Sequence, residues 1–243
     1  MFNPFVTGAL EELTDHRIEP GQPSINKAWA AFLAHFPAIL LIWVVSIAVS
    51  ALGALVYFLA SMLGLAAAGG AEADSAAAIG LLLGQIGQLP FSILSSLVSV
   101  LLIAVPAMHY ATGEIITVRQ AFKTLLRRPW RYLLAGFLFS FAMGVGLVLC
   151  ILPGIAIALT GPIYVNRIFN TEAPVLEAFS SSFQVVYRSS EGRSFAGLQL
   201  LVWLIVVAIT LFTCGLGALV AVPVSTFYLQ NAAYAKGLIR SSL

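Results

Sequence analysis

Three histidines, two cysteines and ten acidic residues are what this 243-residue chain offers for acid–base, metal or thiol chemistry. His16, His35 and His109 lie far apart in sequence. His109 is close to Glu114, but a spacing of five residues turns two ligands onto different faces of a helix. No metal site and no cofactor are expected on this count. The chain also lacks a glycine-rich phosphate loop, a Ser–His–Asp arrangement and a CxxC motif. Its residues therefore point to a non-enzymatic protein. Nucleic acid is an equally poor partner, because the net charge is only +2 and the basic residues border long apolar segments.

Two constellations remain. Arg119, Lys123 and Arg127 recur every four residues and share one helical stripe, with Arg128 and Arg131 close behind. Val118, Phe122, Leu125 and Leu126 are assigned to the opposing face, and Trp130 and Tyr132 to the level of lipid headgroups. This pattern predicts an amphipathic helix lying on a membrane surface, ended by Pro129. Its cations hold a loop inside by charge alone, and they also suit anionic lipid headgroups, other membrane proteins, or the chain's own acidic Glu11–Glu19 segment. The second constellation is Gln85, Gln88, Ser92, Ser95, Ser96 and Ser99, which make their charge-free segment the most polar in the chain. With Gly80 and Gly84 it reads as a helix-packing face; a polar pathway is the alternative reading. No carboxylate falls inside an expected span, which counts against an ion pump or a proton-coupled carrier.

The elements that carry these residues follow from composition. Hydrophobic residues make up 60% of the chain and charged ones 9%, too apolar for a soluble globule and for a disordered chain alike. No charge occurs between Lys27 and Glu72, Asp74 and Glu114, Arg131 and Arg167, or Arg193 and Lys236. With about 20 residues needed per crossing, the breakers at Ala68–Ala78, Pro153-Gly154 and Cys214-Gly215 divide these gaps into six spans. They are expected near 37–64, 79–105, 130–151, 154–169, 195–213 and 216–239, within a membrane domain at 24–243, with the short 154–169 segment open to a re-entrant reading. Residues 1–23 read as a cytoplasmic extension with a surface helix near 2–13, and not as a signal peptide. Six spans put all twelve Lys and Arg on one side and only Glu72 and Asp74 on the other, so both termini are expected in the cytoplasm. Cys150 and Cys214 then sit at outer turns and are read as free thiols. Asn166, Arg167, Gln230 and Asn231 are expected to anchor span ends at the boundary.

A spacing recurs three times ahead of a hairpin: Ile25, Ala28, Trp29, Phe32, Leu33; then Val118, Ala121, Phe122, Leu125, Leu126; then Val175, Ala178, Phe179, Phe183. Each second helix carries a proline, Pro90, Pro162 or Pro223. The fold expected is all-α integral membrane, with six transmembrane helices as three repeats of interfacial helix plus hairpin.

The run Leu152-Pro153-Gly154-Ile155, then Pro162, Glu177-Ala178-Phe179, Ser182-Phe183 and Gly192 resembles a bacterial multi-pass family. That family is the one related to the membrane domain of glycerophosphodiester phosphodiesterases. Phe179 and Phe183 stand where its pattern has Leu and Trp, and the likeness covers about residues 115–240. The family's catalytic barrel is a separate domain, so the resemblance implies a membrane fold without a known activity, set in a bacterial inner membrane or an equivalent internal one. The function expected is an accessory, scaffold or assembly-type subunit packing against membrane partners or lipid. A transporter or channel for a small or lipidic solute is the alternative.

Overall fold

The computed structural model describes residues 23–67 and 73–239. The surface helix expected at 2–13, the acidic 11–19 segment and nearly all of the 1–23 extension lie outside them. The described residues form nine α-helices and no strand. In chain order these are α1 Ile25–Ala67, α2 Ala73–Thr112, α3 Val118–Arg127, α4 Pro129–Leu149, α5 Ile151–Ala158, α6 Gly161–Asn170, α7 Val175–Arg188, α8 Ser190–Phe212 and α9 Ala218–Ala235.

Four of these helices, α1, α2, α4 and α8, are long and apolar enough to cross a membrane. A fifth crossing results if α5 and α6, bent by 40° at their junction, count as one. α9 stays outside this set because its second half carries Gln230 and Asn231 and ends after 18 residues. Segments so apolar become helices because hydrocarbon offers backbone groups no partner, so every N–H and C=O must bond within its own segment.

The first expected interfacial helix does not exist as a separate element. Residues 25–33 continue through Pro37 into one helix of 43 residues. Proline removes one backbone donor, but nothing next to it forces a turn, so the helix continues past it. The second and third expected helices do stand apart. Arg128 (φ −145°, ψ 58°) separates α3 from α4, and Ser189 (φ −94°, ψ 152°) separates α7 from α8. In the first case Pro129 opens the next helix; in the second the Ser189 hydroxyl accepts from the Gly192 N–H.

The turn expected at Pro153-Gly154 also moves. The chain reverses at Cys150, and both residues lie inside α5, where the Gly154 backbone abuts Gly146. The real interruption comes later, at Leu159-Thr160, just ahead of Pro162. Of the other two interior prolines, Pro90 lies within α2 and Pro223 within α9.

The chain divides into two compact units. Residues 40–101 form a hairpin from parts of α1 and α2. Its seam is closed by glycines, since a Cβ at Gly80 would meet the Ser61 carbonyl at 2.8 Å and one at Gly53 would meet the Phe91 Cβ at 2.8 Å. The other unit holds the remaining described residues. Its core joins Leu159, Ile163, Val186, Phe195, Leu229 and Ala232. Large apolar residues of α4, α5 and α8 around the turns at Cys150 and Cys214 stay exposed, including Val148, Leu152, Leu211 and Phe212. Both cysteines are free and exposed there.

Candidate functional site

The cationic face is built on α3. Thr117 caps it, accepting from the Gln120 N–H while the Gln120 side chain accepts from the Thr117 N–H. Ala121 and Leu125 are buried, and Arg119, Lys123 and Arg127 are exposed. None of these three has an ion-pair or hydrogen-bond partner among the described residues. The other two expected members are engaged. Arg128 pairs with Glu172, and Arg131 Nη2 donates to the Thr171 carbonyl at 2.8 Å. The Arg128 guanidinium holds the Glu172 carboxyl below its usual range. Among the described residues, Arg119, Lys123 and Arg127 are thus the members of the stripe without a hydrogen bond or ion pair.

The apolar flank of this stripe differs from expectation. Leu126 is 72% exposed, because it lies two turns beyond Arg119 on nearly the same side of the helix, not opposite it. Trp130 is 80% exposed. Tyr132 is not: its ring stacks on Phe169 at 4.3 Å and is buried.

The loop leading into α3 is held by two histidines, His35 and His109, which the sequence shows only as far apart. His35 and His109 are 1% and 5% exposed, with ring centroids 4.8 Å apart, and Phe227 packs against His35 at 5.2 Å. A carbonyl only accepts, so His35 Nδ1 carries a hydrogen and donates to Ala31 at 2.7 Å. His35 Nε2 then accepts from the Ile116 N–H at 3.0 Å. His109 Nδ1 donates to the Glu114 carbonyl at 2.8 Å. Gly113, at φ +73°, turns the chain out of α2 between them. Two buried rings thus fix the five-residue link that aims the cationic helix. The single clue in the sequence is the polar type of both residues next to apolar runs; their pairing across 74 positions leaves no local signal.

The expected boundary anchors are likewise buried. Asn166, Gln230 and Asn231 are each 5% exposed or less. Asn170 donates to the Ala107 carbonyl at 3.0 Å, and Gln230 Nε2 donates to the Pro162 carbonyl at 2.9 Å. At the α5–α6 break, the Tyr187 hydroxyl donates to the Ala156 carbonyl at 2.6 Å and Gln199 Nε2 to Ala158 at 3.4 Å. The Tyr187 and Gln199 side chains thus satisfy carbonyls beside the α5–α6 break, where Pro162 has no N–H to offer. Arg167 donates to the Ser181 hydroxyl.

In the hairpin unit, Ser95 and Ser99 face α1. Ser95 meets the Ser50 hydroxyl at 2.8 Å, and Ser99 donates to the Ser46 hydroxyl at 3.3 Å. Gln85, Gln88, Ser92 and Ser96 have no hydrogen-bond partner among the described residues, and the Gln88 side chain lies against Gly53 of α1. A half-open groove of about 250 Å³ runs beside them, lined by Ser50, Gly53, Gln88, Phe91, Ser92, Ser95 and Ser96. Among the described residues no group of three His, Cys, Asp or Glu is placed to hold a metal ion.

Comparison of the chain with family models, with curated proteins and with solved structures finds no match.

Proposed function

We propose that this chain is a non-enzymatic, multi-pass membrane scaffold that binds anionic lipid headgroups at its cationic face and packs laterally against membrane partners. The observation that carries the reading is the exposed stripe of Arg119, Lys123 and Arg127, without an ion pair among the described residues, on an amphipathic helix flanked by exposed Leu126 and Trp130. Such a helix gains from both apolar burial at the interface and charge attraction, each cation contributing about 1 kcal/mol near an anionic leaflet.

The finer topology belongs to the same proposal: six spans, with α5–α6 as a bent fourth and α9 as the sixth, and both termini in the cytoplasm of a bacterial inner membrane or its equivalent. Two short amphipathic helices, each one residue ahead of a long apolar helix, support an internal repeat. A relation to the membrane domains of glycerophosphodiester phosphodiesterases is part of this reading. A second reading, passage of a small or lipidic solute, draws on the polar groove beside Gln88 and Ser92.

The test replaces Arg119, Lys123 and Arg127 together by Gln. Arg128 and Arg131 remain to hold the loop on its side, so insertion and orientation persist. Loss of up to about 3 kcal/mol of attraction lowers retention of phosphatidylglycerol in mild detergent by up to about a hundredfold, with a weaker salt response. Equal retention in the variant and the parent across a salt series refutes the headgroup role.

A further inference from the structure

Glu11, Glu12, Asp15 and Glu19, four of the chain's 10 acidic residues, fall close together, and with Arg17 they give that stretch a net charge of −3. Glu11, Asp15 and Glu19 recur every four positions. Arg119, Lys123 and Arg127 recur at the same interval, and α3 sets them about 6 Å apart along its axis. All three are exposed and without an ion pair among the described residues, whereas Glu172 and Glu191 are already engaged by Arg128 and Lys236. Lys27, Arg188 and Arg193 are exposed as well, but they do not repeat at that interval. The described chain begins at Pro23, and the Ser24 N–H donates to Asn231 Oδ1 at 3.2 Å, which ties the start of α1 to the unit that carries α3. Further along α1, about 16 Å from Ser24, His35 Nε2 accepts from the Ile116 N–H just ahead of α3. The chain from Glu11 to Pro23 spans up to about 40 Å when extended, enough to bring Glu11–Glu19 to the stripe.

We propose that the Glu11–Glu19 segment docks on the cationic stripe of α3 and competes there with anionic headgroups, so that the chain regulates its own lipid site. The regulation rests on the headgroup reading above; the docking does not. The chemistry selects this occupant. It has the opposite sign, a matching net charge and the same interval, and it is tethered to the unit it docks on. A tether of this length holds it at an effective concentration of order millimolar, where weak exposed ion pairs suffice. Salt screens those pairs. A leaflet rich in anionic lipid displaces the segment and a neutral one does not, so headgroup binding responds steeply to the anionic fraction of the membrane.

The experiment uses the full chain in phosphatidylcholine bilayers with rising phosphatidylglycerol. A carbodiimide joins an amine to a touching carboxylate as an amide, the water lost in the coupling passing to the carbodiimide. Peptide mapping without phosphatidylglycerol should find Lys123 linked to the 11–19 segment. The Lys236–Glu191 pair, 3.5 Å apart, is the internal positive control. The Lys123 link should fade as phosphatidylglycerol or salt is raised. Glu11→Gln, Asp15→Asn and Glu19→Gln together should tighten phosphatidylglycerol binding on the order of tenfold at low salt, with the gain shrinking as salt rises. Persistence of the Lys236–Glu191 link in this variant reports that it has inserted and folded. A Lys236–Glu191 link in the parent without any from Lys123 to 11–19 overturns the docking. So does a Lys123 link found only between isotopically distinguished copies, which makes the occupant a second chain. Unchanged phosphatidylglycerol binding in the carboxylate variant overturns the competition. Failure of the headgroup reading looks different: the triple Gln variant of α3 then keeps its phosphatidylglycerol, while the Lys123 link in the parent persists when that lipid is added.

Discussion

Replacing His35 by Phe tests whether the buried histidine pair fixes the approach to the cationic helix. Phenylalanine keeps a ring of similar size against Phe227, so the packing between them is preserved. Two polar contacts vanish. The Ile116 N–H, 3.0 Å from His35 Nε2, becomes a buried donor without an acceptor, which costs roughly 1–3 kcal/mol. The bond from His35 Nδ1 to Ala31 is also lost, at about 0.5–1 kcal/mol, since that carbonyl keeps its helical partner. The sum is about 1.5–4 kcal/mol. His109→Phe removes only the donor to the Glu114 carbonyl and should cost about 1 kcal/mol. Denaturant titration in mild detergent reads these differences, and amide hydrogen exchange locates them. Exchange at Ile116 should accelerate by at least about tenfold in His35→Phe, with residues of α4 unaffected. His35→Gln, whose side-chain oxygen can accept, should recover part of the protection. The reasoning fails if Ile116 exchanges at the parent rate in His35→Phe, or if His109→Phe is the more damaging of the two.

Three further outcomes follow from the geometry. Gly192→Ala should destabilise by about 2–3 kcal/mol in the same titration, because its Cβ would stand 2.1 Å from the Val185 carbonyl and 2.5 Å from that of Val186, and backbone cannot give way cheaply. Glu172→Gln should free Arg128 and raise phosphatidylglycerol retention at neutral pH. In the parent the depressed Glu172 carboxyl keeps the Arg128 contact above the usual carboxylate range and loses it as pH falls through that lowered value, so retention should rise on acidification in the parent and stay flat in the variant. Cys150 and Cys214 should both react with an impermeant thiol reagent from one side of intact cells, whereas a Lys123→Cys substitution in a background lacking both should not; labelling of position 123 from that side would break the proposed topology.

The difference between the two long helices and the shorter ones bears on how partners and lipid divide the molecule. α1 and α2 contain 43 and 40 residues, about 65 and 60 Å, roughly twice what a bilayer core requires. Their residues 25–39 and 102–112 belong to the unit holding the histidine pair, where Ala28, Phe32, Ala104 and Ala107 are buried. Residues 40–101 belong to the hairpin unit, where most large apolar side chains are exposed. Each of these helices thus serves as protein core along one stretch and presents exposed apolar side chains along the other. The core stretch of α1 carries Asn26, Lys27 and His35, whereas its residues 40–67 carry no charge and no histidine.

Composition and charge spacing were enough to establish an all-helical chain with several candidate membrane crossings, because hydrocarbon leaves a long apolar segment no other way to bond its backbone. The amphipathic helix at 118–127 was equally legible, since a four-residue recurrence of cations against Ala121 and Leu125 depends only on helical periodicity. What needed the tertiary structure were contacts between residues distant in sequence. Arg128 and Arg131 could be subtracted from the cationic stripe only once Glu172 and Thr171 were seen beside them. His35 and His109 became a pair, and Gln230 became a donor to the Pro162 carbonyl, through partners up to 81 positions away. The continuity of α1 through Pro37 is of the same kind: a proline states which hydrogen bond is missing, while the surrounding packing decides whether the helix stops there.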